Sequence, residues 1–463
     1  MAEDLKQEEQ LTIDKKDGLL YAFGGMGCNG PCSNFINYFF LFFMTDIAGF
    51  PTVIAATCYT VADTIKAIHM MLSGVMIDAV SFKKGKYRPW FIICAFATLF
   101  LTGAIFLPYN ITNWGVYAVL ITTLQCLSTF SYNVNWTAHR SLVGVMSGNS
   151  KDNVTLVSWA NAAAMTSGLI YAMGNVYLLQ AWAGAGKMQY AGAEYTWAII
   201  SCFGSLCLAR LAKKYDARAE KAAENARGNK KENVGLLEML KTLRGPGLVY
   251  FIAGCVHNVP SGFFYALLAY FTKYVLNDPA AMGYAVTVNY IGGIIGAIIT
   301  PMYSKKWERK KLMVFGCIML AILYFSMYFL GRTGIAFLAI RLLIGIFNQP
   351  GSIALTAMAN DLGDYYEMKG ESRARAFVQA CMGTTIRVGT LISSAISSFG
   401  LAALGYEAGV EMTDDLISKI CWLMAIAPSI VCILAGAIYW FGYKVDEKEL
   451  DAYRKQRASQ LNG

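Results

Sequence analysis

The chain alternates long apolar runs with short polar segments along nearly its whole length. Each run approaches or exceeds the roughly 20 mostly apolar residues that a helix needs to cross a bilayer core. The pattern therefore predicts an all-α, polytopic membrane protein. Its twelve predicted transmembrane helices lie near residues 18–47, 51–80, 89–109, 114–145, 154–180, 194–212, 247–276, 280–303, 311–331, 335–362, 374–402 and 417–442.

The one long polar segment lies at the centre of the chain, over residues 212–246, and is rich in charge. Six apolar runs precede it and six follow it, so we predict two pseudo-symmetric six-helix bundles joined by a charged, helical linker. The predicted organisation is an N-terminal segment 1–17, a bundle 18–211, the linker 212–246, a bundle 247–442 and a tail 443–463.

Composition agrees with a lipid environment. Of the 463 residues, 56% are hydrophobic and 15% are charged, with a mean hydropathy of +0.43. Soluble domains carry roughly a quarter charged residues. If the N-terminus is cytoplasmic, 31 of the 39 basic residues fall on the cytoplasmic side. This bias predicts that both termini are cytoplasmic. The net charge of +9 thus reports topology, and we assign it no role with nucleic acid.

Residues of reactive type form no catalytic or metal-binding pattern. The 12 cysteines are scattered, mostly within apolar runs, and suggest neither a disulfide framework nor a metal site. Metalloprotease, nucleophile-elbow and phosphate-loop motifs are missing from the sequence. We therefore expect neither an enzyme nor a cofactor.

Three stretches resemble a known family. They are GVMIDAVSFKKGKYRPW (Gly74–Trp90), FMTDIAG (Phe43–Gly49) and DLGDYYEMKGESRARAFVQ (Asp361–Gln379), and the tail YWFGYKVDEKELDAYRKQ is also similar. They resemble the glycoside–pentoside–hexuronide:cation symporters, the melibiose-permease branch of the major facilitator superfamily. The resemblance implies the major facilitator fold, a cell inner membrane location and alternating access to a midplane site. The first stretch also has a physical interpretation, in which Asp78 pairs with a cation of the loop 83–88 when the cytoplasmic side closes; plain positive-inside charge is the alternative for its lysines. We therefore predict gating roles for Asp78, Gly85, Arg88, Asp361 and Asp364.

The chain departs from that family where the coupling cation and the sugar bind. The two second-span carboxylates that hold sodium in similar proteins correspond to Lys66 and Met70, and the fourth-span ligand to Asn133. An ammonium and a thioether are poor sodium ligands, so we predict that the sodium site is lost. The sugar-binding acids correspond to Asn29 and Trp136, with Arg140 one turn later, and a sugar-binding arginine corresponds to Asn161.

Ionisable residues inside spans are costly and need a partner or a function. Asp63, Lys66 and His69 are spaced to share one face of the second span, where Asp63 and Lys66 can pair. Lys66, Arg140 and Arg387 leave a surplus of positive charge, which favours an anionic solute such as a hexuronide or a sulfonated sugar. We predict that the solute contacts Asn29, Lys66, Asn133, Trp136, Arg140, Asn161, Thr384 and Arg387.

Several alternatives remain open at this point. Asp63 and Lys66 can instead form a purely structural ion pair in a transporter of a neutral glycoside. A proton can be coupled through Asp63 or through a histidine (His69, His139 or His257), and facilitated diffusion or exchange is equally compatible with the sequence. A transporter-derived membrane sensor is the alternative from a different class. We predict a monomer.

Overall fold

A computed structural model describes residues 14–80, 82, 85–146, 150–228, 245–304, 307–369, 374–407, 409–450 and 452–453. Within these ranges the chain is helical and contains no β-strand. A helix occupies each of the twelve predicted spans. The helices other than the first are α2 (Thr52–Ala79), α3 (Arg88–Ile105), α4 (Trp114–Met146), α5 (Ser150–Ala181), α6 (Gln189–Gly228), α7 (Pro246–Tyr270, continued by the π turn Phe271–Val275), α8 (Ala281–Ser304), α9 (Arg309–Leu330), α10 (Gly334–Met368), α11 (Ala374–Ala403) and α12 (Asp414–Gly442).

The first helix, α1, runs from Lys15 to Ile47 and is not uniform. Its α-helical parts, Lys15–Ala22 and Cys28–Phe42, are separated by the π turn Phe23–Gly27, and a second π turn covers Phe43–Ile47. The first π turn lies in the glycine-rich segment of the span. Glycine tolerates irregular helix there because no side chain resists the change.

The sixth helix begins earlier than the apolar pattern predicts. The hydropathy of the sequence places its start at 194, but the helix starts at Gln189, after a short 3₁₀ segment at Ala183–Met188. The apolar pattern instead places residues 189–193 in the loop before this span. The correction matters because it moves Glu194 from the boundary of the span into the body of a helix.

The described residues form two compact units. The first comprises residues 14–228 together with 407, 409 and 410, and the second comprises the remainder. Each has a core of its own. The core of the first unit is centred on Tyr21, Trp90, Phe91, Leu142 and Leu208. The core of the second is centred on Tyr250, Met313, Leu355, Met358 and Tyr439.

Large apolar side chains are also exposed in numbers that an aqueous surface would not favour. Examples are Phe100, Tyr177, Met302, Ile335 and Phe441, each at least 65% exposed. Among the described residues, ten helices are long and apolar enough to cross a membrane by length and composition, and α1 and α2 are outside that set. An apolar exterior on long helices suits contact with lipid tails. The prediction of an all-α polytopic membrane fold is confirmed.

Candidate functional site

A narrow cavity lies in the first unit, between α1, α2, α3 and α4. Its volume is about 20 Å³, enough for one water molecule. Lys66 is the charged residue among those that line it. The lining consists of Cys32, Ser33, Ile36, Asn37, Lys66, Thr98, Thr102, Gln125, Ser128, Thr129 and Tyr132. Hydroxyl and amide groups dominate this set, so the cavity can hydrogen-bond a hydroxylated or charged ligand group.

Lys66 is held in this cavity by an amide more closely than by a carboxylate. Its ammonium donates to Asn37 Oδ1 on α1 at 3.0 Å, while Asp63 Oδ1, one turn earlier on α2, lies 3.8 Å away. Both charged side chains are largely buried, with 19% of Lys66 and 16% of Asp63 exposed. The Asp63 carboxylate thus reduces the cost of burying Lys66 without making a close, charge-assisted hydrogen bond.

Asn133 on α4 forms a hydrogen bond with the backbone of α2 at Lys66. Its Nδ2 donates to the backbone carbonyl of Lys66 at 3.1 Å, and its Oδ1 is buried without a hydrogen-bond partner among the described residues. A buried amide oxygen left without a donor is unfavourable. The structure therefore brings together two of the predicted solute contacts, Lys66 and Asn133, and leaves one acceptor for a further donor.

An aromatic row continues from the cavity along α4. Tyr132 lines the cavity and stacks near Trp136, with ring centroids 6.3 Å apart. The guanidinium of Arg140 lies 4.9 Å from the centre of the Trp136 ring, a cation–π distance. These residues recur every fourth position, so they share one helical face. Trp136 and Arg140 thus extend the Lys66 cluster, with Tyr132 as a member that the sequence did not assign.

Two predicted contacts lie apart from this cluster. Asn29 is buried and uses its amide structurally: Nδ2 donates to the carbonyl of Gly25 at 2.8 Å, and Oδ1 accepts from Ser201 and Ser205 on α6. Asn161 is exposed on α5. The structure does not bring either residue to Lys66.

The histidines divide among local contacts. His69 packs edge-on against Phe130, with ring centroids 5.2 Å apart. His139 donates from Nε2 to the carbonyl of Tyr21 at 2.9 Å, and its ring stacks on the Tyr21 ring. His257 lies with Nδ1 3.7 Å from Cys317 Sγ. His69 and His139 each keep a buried Nδ1 without a hydrogen-bond partner among the described residues.

Two predicted solute contacts and one further buried cation belong to the second unit. Thr384 and Arg387 lie half-buried on α11. A further cation, Arg341 on α10, is only 2% exposed and was given no role by the sequence. Its Nη2 donates to Asn289 Oδ1 at 2.8 Å, and its guanidinium lies 3.5 Å from the centre of the Phe264 ring. An amide and an aromatic face stabilise this buried charge.

One acidic residue of the first unit was missed by the sequence reasoning. Glu194 on α6 is fully buried, and its Oε1 lies 2.9 Å from the thiol sulfur of Cys32. The signal was available, since a carboxyl group in an apolar run is costly and points to a function. It was overlooked because the predicted start of the span fell on Glu194 itself.

The predicted gating residues of the first unit lie around the start of α3. Gly85 is buried with a φ of +99°, and a Cβ there would overlap the carboxylate of Asp216 on α6. Arg88 is half-buried at the first residue of α3. The side chain of Asp78 lies outside the described part of the structure. The close approach of Gly85 to Asp216 gives a physical reason for a glycine in this loop.

In the second unit, Asp361 belongs to a network of charged side chains near the end of α10. Arg309, at the start of α9, places Nε 3.0 Å from Asp361 Oδ2 and Nη1 2.8 Å from Glu447 Oε2. Burial and the nearby carboxylates Asp361 and Glu447 raise the pKa of Tyr443, so its hydroxyl stays neutral. Asp364, one turn after Asp361, is also buried. The network ties the ends of α10 and α12 to the start of α9.

Replacing Gly85 with alanine should destabilise the protein. An alanine at this positive φ costs about 1–2 kcal/mol in strain, and its Cβ must also displace Asp216. We expect a melting temperature several degrees lower in detergent. Gly74→Ala is the matched control, because Gly74 is helical and has open space around a Cβ. Equal melting temperatures for the two variants would contradict this account of Gly85.

Comparison with known proteins identifies the class of the molecule. The profile of the family described as "MFS/sugar transport protein" matches residues 20–447. The chain belongs to this family of major facilitator sugar transporters, which confirms the resemblance found in the sequence. It is a multi-pass membrane transporter of small solutes and not an enzyme.

Curated relatives are similar over nearly the full length. A candidate 2,3-dihydroxypropane-1-sulfonate exporter of Escherichia coli is 23% identical over 95% of this chain and 94% of its own. A candidate sulfoquinovose importer of Salmonella typhimurium is 22% identical over 97% of this chain and 95% of its own. A lactose permease of Leuconostoc lactis is 23% identical over 81% of this chain and 60% of its own.

Solved structures share the fold at low sequence identity. A bacterial homologue of the human lysosomal transporter Spinster, in an inward-facing and unoccupied conformation, has a TM-score of 0.69 at 12% identity, covering 93% of this chain and 98% of its own. A D-xylose–proton symporter has a TM-score of 0.61 at 13% identity, covering 92% of this chain and 96% of its own. These likenesses establish the major facilitator fold.

Proposed function

We propose that this transporter moves a small, hydroxylated organic anion, such as a sulfonated sugar or a hexuronide, across the bacterial inner membrane. It would work by alternating access to a site that includes Lys66, with both termini on the cytoplasmic side. The protein would act as a monomer.

The observation that carries the proposal is the position of Lys66. Its ammonium lies in a cavity lined by hydroxyl- and amide-bearing side chains, and the Asp63 carboxylate is 3.8 Å away. Arg140, which is exposed, adds a positive charge beyond the aromatic row. A bound anion would add negative charge beside the largely buried Lys66 ammonium. A sulfonate or carboxylate accepts charge-assisted hydrogen bonds from both cation types.

The aromatic row supports the remainder of the ligand. Tyr132 and Trp136 offer ring faces of the kind that pack against the apolar face of a sugar or its open-chain relative. Two full-length relatives are described as handling sulfonates, one as an exporter and one as an importer. Their names support the anionic class and leave the direction of transport open.

The loss of the family's sodium site forms part of the proposal. Lys66 occupies the space where a second-span carboxylate would bind the ion, and an ammonium repels a cation. The coupling ion, if any, would then be a proton.

Transport by purified protein in proteoliposomes tests the proposal. We expect uptake of labelled 2,3-dihydroxypropane-1-sulfonate or sulfoquinovose at the same rate in sodium-free and sodium-containing media. Lactose, a neutral glycoside, should compete at least roughly tenfold more weakly, about 1.4 kcal/mol. The opposite preference would support the neutral-glycoside alternative, in which Asp63 and Lys66 only neutralise each other. Binding without accumulation would indicate a sensor, and a severalfold stimulation by sodium would contradict the loss of the cation site.

A further inference from the structure

Among the acidic side chains described in the first unit, the carboxyl group of Glu194 is the one most completely removed from water. The residue is fully buried in α6. Its Oε1 accepts a hydrogen bond from the thiol of Cys32 at 2.9 Å, while its Oε2 has no hydrogen-bond partner among the described residues. No described cation lies within ion-pair distance of it. An ionised carboxylate in such surroundings is far more costly than the neutral acid, so the neutral acid is the form that fits this conformation.

A polar route connects Glu194 to the Lys66 cavity. Cys32, which contacts the carboxyl group, also lines the cavity, and so does Thr102, whose Oγ1 lies 3.6 Å from the Cys32 sulfur. Gln125 lines the same cavity and has a buried Oε1 without a partner. The volume of about 20 Å³ accommodates one water molecule. A water there could donate to Gln125 and relay a proton.

We propose that Glu194 is the proton-carrying group of this transporter, exchanging its proton through the cavity that Cys32 and Thr102 share with Lys66. The inference rests on the proposed function. In the exchange, the O–H bond of Glu194 breaks and its electron pair stays on the carboxylate oxygen. The Cys32 sulfur takes up this proton while its own S–H proton passes to the cavity water, so the thiol is restored and one proton enters the cavity. The reverse steps reload the acid. No oxidant, reductant or metal takes part.

The arrangement also sets the sign of the coupling. While no solute is bound beside Lys66, its positive charge favours the ionised form of Glu194. An anionic solute at Lys66 cancels that charge, which makes loss of the proton less favourable. Bound anion and bound proton therefore favour each other, and the two should cross the membrane together in the same direction.

Other titratable groups near this route are few. Cys32 on α1 is the one in contact with Glu194. Lys66 on α2 and Tyr132 on α4 line the cavity, Asp63 lies 3.8 Å from Lys66, and Tyr195 follows Glu194 and packs against Gly103 on α3. If Glu194 is the proton carrier, removing its carboxyl should remove the exchangeable proton.

Two measurements on the full-length protein test the proposal. In proteoliposomes, Glu194→Gln should reduce accumulation of labelled 2,3-dihydroxypropane-1-sulfonate driven by a pH gradient by roughly tenfold or more, the scale of a coupling free energy. Solute exchange without a gradient should stay within about twofold of wild type, since it needs no net proton transfer. Glu411→Gln, at an exposed carboxylate, is the matched control, and Glu194→Asp should keep part of the driven accumulation. Full gradient-driven accumulation by Glu194→Gln would overturn the proposal.

The second measurement needs neither a transported solute nor a variant. Dicyclohexylcarbodiimide modifies neutral carboxyl groups in apolar surroundings, and the modified residue can be located by mass spectrometry of the wild-type protein. We expect modification of Glu194, at a rate that falls as the pH rises. A Glu194 peptide that stays unmodified at every pH would overturn the proposal. If wild type transports no sulfonate but Glu194 is modified, the proposed solute is wrong and the proton site stands.

Discussion

Replacing Lys66 with methionine should abolish high-affinity binding of an anionic solute while the protein still inserts and folds. Methionine keeps an unbranched side chain one atom shorter than that of lysine and removes the ammonium that donates to Asn37. Truncating one partner of a buried charge pair in a binding interface typically costs about 2–5 kcal/mol, at least roughly 30-fold in Kd. Isothermal titration calorimetry of the solute with detergent-purified protein measures this increase in Kd.

A double variant separates the binding role of Lys66 from a structural one. Lys66→Met alone leaves the largely buried carboxylate of Asp63 without this cation, which can destabilise the unit by itself. Lys66→Met combined with Asp63→Asn removes both charges. If Lys66 binds the solute, the double variant should regain thermal stability without regaining affinity. Recovery of affinity in the double variant would mean that the pair is structural. Lys187→Met, at an exposed lysine, is the control for loss of positive charge.

The contrast between Lys66 and Asn29 shows what the sequence could and could not predict about the site. Lys66 and Asn133 are in contact in the structure, and the sequence groups them because each is a polar residue in an otherwise apolar run, and such residues turn away from lipid. Asn29 met the same criterion, yet its amide hydrogen-bonds α1 and two serines of α6. Which neighbouring helix receives a buried polar group depends on helix packing, and apolar periodicity along one helix carries no record of its partners.

The twelve spans were predictable because lipid imposes a simple rule of length and polarity on each helix. The irregular parts of the helices are harder to predict from the sequence. The π turn Phe23–Gly27 lies where the glycines suggested a bend, but its register, which decides where Asn29 points, follows from contacts with α4, α5 and α6. Glu194 was placed at a helix boundary for a related reason. A carboxyl group looks like the end of a span unless its burial against Cys32 is known.

Removing Arg309 should be among the most destabilising single changes in the second unit. Asp361 is only 2% exposed, and Arg309 contacts it while also contacting Glu447 after α12. Arg309→Leu leaves the Asp361 carboxylate buried without this partner, which costs about 3–5 kcal/mol. For a unit of this size the loss corresponds to a melting temperature lower by roughly 10 °C. Tryptophan fluorescence during heating of detergent-purified protein measures the change.

A double variant in the same network separates a stabilising role of Asp361 from a gating role. Arg309→Leu with Asp361→Leu removes the buried charge together with its partner, and replacing a buried ion pair by apolar residues is often neutral for stability. We therefore expect the double variant to recover most of the melting temperature. Its transport should stay impaired if Asp361 acts in gating, since the ends of α9, α10 and α12 would no longer be held by a charge that can be released. Lys311→Leu, which breaks an exposed pair with Glu308, should change stability by only about 0–1 kcal/mol. A double variant with wild-type transport would assign Asp361 to stability alone.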